Sequence, residues 1–122
     1  MVANTPLILV VDDDASLRSA LESLVRSIGY NVLSFPSAEA VLESGAAASS
    51  ACIISDIQMP GLSGIELERR LRNQQIATPV ILITARSESE LLAAAGASSA
   101  ICVLRKPFDA STLITCLEKA IG

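Results

Sequence analysis

Five short apolar runs recur along the chain, at residues 7–11, 31–35, 51–55, 80–84 and 101–104. Most are nearly continuous rather than alternating. A strand with one face in water alternates apolar and polar side chains, so continuous runs of this length predict strands covered on both faces, as in a parallel sheet. Between the runs the spacing becomes helical. Leu17, Leu21, Leu24, Val25 and Ile28 recur at steps of three and four residues, and Gly29 then supplies a left-handed stop. Ser63 with Glu66, and Ser87 with Glu90, match the capping box that opens a helix. Asp109 stands where it can cap a last helix carried by Leu113, Ile114, Leu117 and Ile121.

Strands alternating with helices over the whole length predict an α/β fold, (βα)5, built on a doubly wound parallel five-stranded sheet. Helices on both faces require the strand order to reverse. The flavodoxin-like order 2-1-3-4-5 is the usual five-strand solution, and it places ligands at the carboxyl ends of strands 1 and 3. A chain of 122 residues has room for one core, so residues 1–122 are read as a single domain. Hydrophobic residues make up 51% of it with one Tyr, two Phe and no Trp, so that core is built from Leu, Ile, Val and Ala. Disorder is excluded on this composition.

Net charge is −4, and the nine basic residues are scattered, which argues against direct binding of nucleic acid. No apolar run approaches the roughly 18 residues that span a bilayer. The opening "MVANTPLILVV" lacks the pattern of a signal peptide, so no membrane contact and a cytoplasmic location are expected. Cys52, Cys102 and Cys116 are odd in number, show no C-x-x-C spacing and lie among Ile, Val, Leu or Thr. Three buried free thiols are the expectation.

The predicted carboxyl ends of the strands carry the chemistry. Strand 1 delivers Asp12 and Asp13, strand 3 Asp56, strand 4 Thr84, and strand 5 Lys106 followed by Pro107. Three carboxylates brought together repel unless some are protonated or a cation lies between them. Carboxylate oxygens suit a hard ion, and Mg²⁺ is favoured where a few carboxylates, waters and a phosphate share its shell. The plain alternative is that "DDD" forms a helix-capping turn with solvated acids, while Thr84 ends a strand and Lys106 is a surface cation. Asp56 lies in "SDIQMPGLSGIEL". A carboxylate can attack phosphorus to give an acyl phosphate if charge building on the transferring group is neutralised. Mg²⁺ and Lys106 would neutralise it, with the Thr84 hydroxyl and backbone amides after Asp56 as donors. Pro60, Gly61 and Gly64 permit the tight turn that brings those amides round.

Taken together, "VVDDD", "SDIQMPGLSGIEL", "ILITA" and "LRKPFD", with 22 positions from Thr84 to Lys106 (106 − 84), resemble a response regulator receiver domain of two-component systems over essentially the whole chain. The wording around "SFPSAEAVLE", "MPGLSGIELERRL" and "RKPFD" is most similar to FixJ-like receivers. The resemblance implies that Asp56 is the phosphoacceptor, that Asp13 and Asp56 ligate Mg²⁺ with the Gln58 backbone carbonyl, and that Asp12 supports the ion through water. It implies that Thr84, Ala85 and Lys106 bind the phosphoryl group and that the Lys106–Pro107 bond is cis. It implies a sensor histidine kinase as donor. The chain has no His and no ATP-binding loop of its own, so the phosphoryl group comes from outside. On this resemblance the chain is a switch and not an enzyme, and a homodimer through the fourth helix, fifth strand and fifth helix is expected.

The sequence departs from the family in two places. Val103 stands where an aromatic switch residue is usual, and a β-branched side chain offers no comparable ring to relocate. The "AAGA" before strand 5 comes three residues early and leaves Ser99 at the expected Gly position, which puts the junction after the fourth helix in question. Leu91 and Leu92 there are read as packing residues. Arg86 and Gln58, two residues beyond Thr84 and Asp56, are candidates for setting the lifetime of the acyl phosphate. Two other readings stay open. A degenerate receiver would signal by partner binding without phosphorylation. An aspartyl-phosphate hydrolase would need a cap domain and a second acid at position 58, which is Gln. FixJ-like receivers normally precede a DNA-binding domain, so an output domain beyond Gly122 and independent action are both entertained.

Overall fold

The computed structural model describes residues 5–84 and 100–121. The order of elements is β1 (Leu7–Val11), α1 (Ala15–Ile28), β2 (Asn31–Phe35), α2 (Ala38–Ser44), a 3-10 turn (Ala47–Ser49), β3 (Cys52–Asp56), α3 (Gly64–Asn73), β4 (Val80–Thr84), β5 (Cys102–Arg105) and a C-terminal helix (Ala110–Ile121). All pairings are parallel, in the order β2-β1-β3-β4-β5. The sheet is the doubly wound one that the unbroken apolar runs imply.

Burial divides along the two faces of the sheet. Ile8, Val10, Ile54, Ile81 and Ile83 point to one side, where they pack with Leu21 and Val25 of α1 and Leu113 and Leu117 of the C-terminal helix. Leu9, Val11, Ile53, Val80 and Leu82 point to the other, against Val41 of α2 and Leu67 and Leu71 of α3. Alternate residues of one strand thus feed two cores, which is why the runs read as continuous.

Local signals act as expected where they fall among the described residues. Gly29 ends α1 at φ 109°, in the left-handed region. Ser63 and Glu66 form the capping box of α3, with both bonds at 3.1 Å. Asp109 precedes the C-terminal helix, and its carbonyl accepts from the Thr112 and Leu113 amides. The Ser87 to Glu90 box, Leu91, Leu92, Gly96 and Ser99, and with them the predicted fourth helix, lie outside the described residues.

Two boundaries and two cysteines differ from expectation. β3 and β5 each begin and end one residue later than the apolar runs. Polarity of a side chain does not end a backbone ladder: Asp56 stays in register with Ile83, and Arg105 with Thr84. Asp56 is therefore the last residue of its strand. Cys102 and Cys116 are not free thiols but are joined in a disulfide, with Cα atoms 6.2 Å apart. Their spacing of 14 carries no motif. The pairing arises because β5 and the C-terminal helix bring the two residues into the same core cluster. Only Cys52 is a free buried thiol, and burial pushes its pKa up to about 12.

Candidate functional site

At the carboxyl edge of the sheet, the ends of β1 and β3 lie side by side, with Val11 in register with Ser55. The next residues carry the acid. Ligand oxygens of Asp12, Asp13 and Asp56 lie within 4.8 Å of one another. Asp12 is buried, Asp13 is exposed, and Asp56 keeps 9% of its surface accessible. The third acid of the run plays another part. Asp14 caps α1, its carboxylate accepting from the Ser16 and Leu17 amides at 2.9 and 3.2 Å. The capping alternative is right for Asp14, whereas Asp12 is buried rather than solvated.

Asp12 is held from several sides. Its Oδ1 accepts from the Asp14 amide at 2.9 Å, its own N–H donates to the Phe35 carbonyl, and its carbonyl accepts from Arg18 Nη1 at 2.8 Å. From the residue just beyond β5, Lys106 Nζ reaches to 3.5 Å from Asp56 Oδ2 and 3.7 Å from Asp12 Oδ2. One ammonium against three carboxylates leaves the cluster negative. Like charges at this spacing cost on the order of 3 kcal/mol per partly buried pair, and less where exposed Asp13 takes part. The Asp56 pKa responds accordingly. Burial raises it and the Asp12 charge adds to the rise, while Lys106 and the Gln58 amide, which donates to Oδ1 at 3.3 Å, hold it down. The net direction is upward.

Oxygen donors on three converging carboxylates, with a net negative charge, fit a hard divalent cation. They do not form the sulfur and nitrogen set that zinc favours.

The β3–α3 loop completes the edge. Gly64 lies against the end of β3, where a Cβ would run into the Asp56 carbonyl and crowd Ser55 Oγ at 3.0 Å. Its N–H donates to the Ile57 carbonyl at 3.0 Å. Gly61 takes φ 80°, the left-handed region. Gln58 is exposed at the mouth.

Thr84 is the last residue of β4, fully buried, and its carbonyl accepts from the Lys106 amide at 2.8 Å. The bond from Lys106 to Pro107 is cis. Val103 lies half-buried in β5 against the cluster shared with α2 and α3. Ala85 and Arg86 lie outside the described residues. Reading the sequence missed two contacts. Arg18 sits one turn into α1, and its spacing of six from Asp12 is a faint local clue. Glu39 of α2 accepts from the Leu62 amide at 3.1 Å across 23 positions, for which no local signal exists. An apolar cleft of about 490 Å³ opens beside Lys106, lined by Leu17, Ala20 and Leu24 of α1 and by Ile83, Pro107 and Phe108.

Fold and edge together define a receiver, and known proteins agree. Residues 8–118 match the response regulator receiver domain family, and the chain belongs to it. It is 39% identical over 114 residues to the transcriptional regulatory protein FixJ of Bradyrhizobium diazoefficiens, covering 93% of this chain and 56% of that protein. It is 34% identical over 116 residues to the DNA-binding transcriptional regulator NtrC of Escherichia coli, covering 95% of this chain and 25% of that one. Among solved structures, FixJ-N superposes with a TM-score of 0.86 at 29% identity, covering 96% of this chain and 94% of that one. The chemotaxis protein CheY4 of Vibrio cholerae superposes with a TM-score of 0.84 at 29% identity, covering 95% and 98%. The chain thus spans about half the length of FixJ and a quarter of NtrC. As a receiver it is a signalling domain of a two-component system rather than an enzyme. No helix among the described residues is long and apolar enough to cross a membrane.

Proposed function

We propose that this receiver is a phosphorylation-dependent switch in which Asp56 accepts a phosphoryl group from a sensor histidine kinase, with Mg²⁺ as cofactor. The observation that carries the reading is the meeting of Asp12, Asp13 and Asp56 within 4.8 Å beneath the Lys106 ammonium. An Asp56 carboxylate oxygen forms the new bond to phosphorus as the bond from phosphorus to the kinase imidazole nitrogen breaks. The oxygens that gain charge are met by Lys106, by the Thr84 hydroxyl and by the Ala85 amide. Asp13, Asp56 and the Gln58 carbonyl would hold the ion, with Asp12 supporting it through water, and Mg²⁺ when bound would supply positive charge to the transferring phosphoryl oxygens. Raised by burial, the Asp56 pKa works against the ionised nucleophile, and Lys106 offsets this by favouring the carboxylate.

Phosphorylation then shifts the population of the face formed by β5, the C-terminal helix and the predicted fourth helix, where a homodimer forms. Val103 at the switch position makes that shift without an aromatic ring, while Gln58 and Arg86 set how long the acyl phosphate lasts. The domain spans residues 1–122 and acts in the cytoplasm as the regulatory part of a FixJ-like transcription regulator. Titration with Mg²⁺ and a beryllium fluoride phosphate mimic tests the switch. Amide resonances around Asp56 and Lys106 are expected to shift in the parent and to stay still in Asp56→Asn. A parent as unresponsive as the variant would favour the degenerate receiver instead.

A further inference from the structure

The loop that follows Asp56 must present the Gln58 carbonyl to the cation and its amides to the phosphoryl group, so what fixes its shape governs the site. Its base is tied locally, by the Gln58 amide on Asp56 Oδ1 and by the Gly64 amide on the Ile57 carbonyl. Its far side is tied from another element. Glu39, in the first turn of α2, turns its carboxylate onto the loop, where Oε2 accepts from the Leu62 amide at 3.1 Å. The fit is close: a Cβ on Gly61, which its φ of 80° already disfavours, would collide with Glu39 Oε2 and lie 3.3 Å from Oε1. Oε1 is buried and has no hydrogen-bond partner among the described residues. A Glu that served only the dipole of its own helix would leave its carboxylate in water, and an apolar residue packed there would carry no orphaned oxygen.

From these contacts we infer that Glu39 is a positioning residue of the phosphoryl-acceptor site, setting the β3–α3 loop so that Gln58 faces the cation. The inference rests on the proposed Mg²⁺-dependent function. Glu39 touches neither ion nor phosphoryl group and acts through the Leu62 amide. Its partner in this role is Gly61, whose missing side chain leaves room for the carboxylate.

The test uses the full chain with Glu39→Gln, Glu39→Ala and Glu39→Asp, and three readouts: hydrogen exchange of the Leu62 amide without metal, Mg²⁺ affinity from amide shifts, and phosphoryl uptake from a small phosphodonor at saturating Mg²⁺. Glu39→Ala is expected to speed Leu62 exchange and weaken Mg²⁺ binding roughly 10-fold, with uptake recovering at saturating ion. Glu39→Gln keeps an acceptor of the same reach and is expected to stay close to the parent in all three. Glu39→Asp keeps the charge but shortens the reach, and it is expected to weaken Mg²⁺ binding as Glu39→Ala does, which decides the matter if Glu39→Ala does not fold. Fast Leu62 exchange with unchanged Mg²⁺ affinity would reduce Glu39 to a structural brace and overturn the inference. A parent that binds no Mg²⁺ would fail earlier, overturning the function and the inference together.

Discussion

At Asp56 burial and reactivity pull in opposite directions. The protonated carboxyl is the form that burial and Asp12 favour, and the carboxylate is the form that attacks phosphorus. Because the folded protein holds this proton to higher pH than the unfolded chain, the resulting stability is complete below the ordinary value of 3.8 and is lost as pH rises through the raised pKa. In metal-free protein the urea midpoint should therefore drop over that interval. Asp56→Asn should flatten the drop and be more stable than the parent near neutrality, and equal slopes in the two proteins would contradict the burial argument. Lys106 bears on both forms from 3.5 Å. Lys106→Ala should slow phosphoryl uptake by roughly 10²-fold, as loss of a preorganised charge does, measured in single-turnover uptake from a small phosphodonor.

Elements were legible in the sequence where a pattern repeats and illegible where a contact is made across the fold. Continuous apolar runs yielded all five strands and, for the central β1, β3 and β4, their burial on both faces, while the edge strands β2 and β5 stay partly exposed. The runs placed two strands one residue early, because a run ends at the first polar side chain while the ladder continues to Asp56 and Arg105. Asp12, Asp13, Asp56 and Lys106 were legible as a group because strand ends in a parallel sheet share an edge. The reach of Glu39 to Leu62 and the pairing of Cys102 with Cys116 depend on how helices pack, which no local spacing encodes. Gly64 shows how close that packing is. Gly64→Ala should push α3 away from the end of β3 and destabilise the protein by about 1–3 kcal/mol, read from urea unfolding. The disulfide closes a stretch of 14 positions, so reduction should cost about 3 kcal/mol, and Cys102→Ser/Cys116→Ser should remove the dependence on reductant.

Across the whole molecule, two cores grip one sheet from opposite faces, and the reversal of strand order between β1 and β3 opens a gap at the carboxyl edge. Among the described residues the converging acids and Lys106 are gathered there, while both faces are occupied with packing. That division places the acids at the ends of two packed strands. It also gives the central claim a direct measurement: incubate the chain with a small phosphodonor, with and without Mg²⁺, and locate any phosphoryl group by mass spectrometry of peptides. The account predicts one added group, on Asp56, that requires Mg²⁺ and is missing in Asp56→Asn. No addition, or addition at another residue independent of the ion, would contradict it.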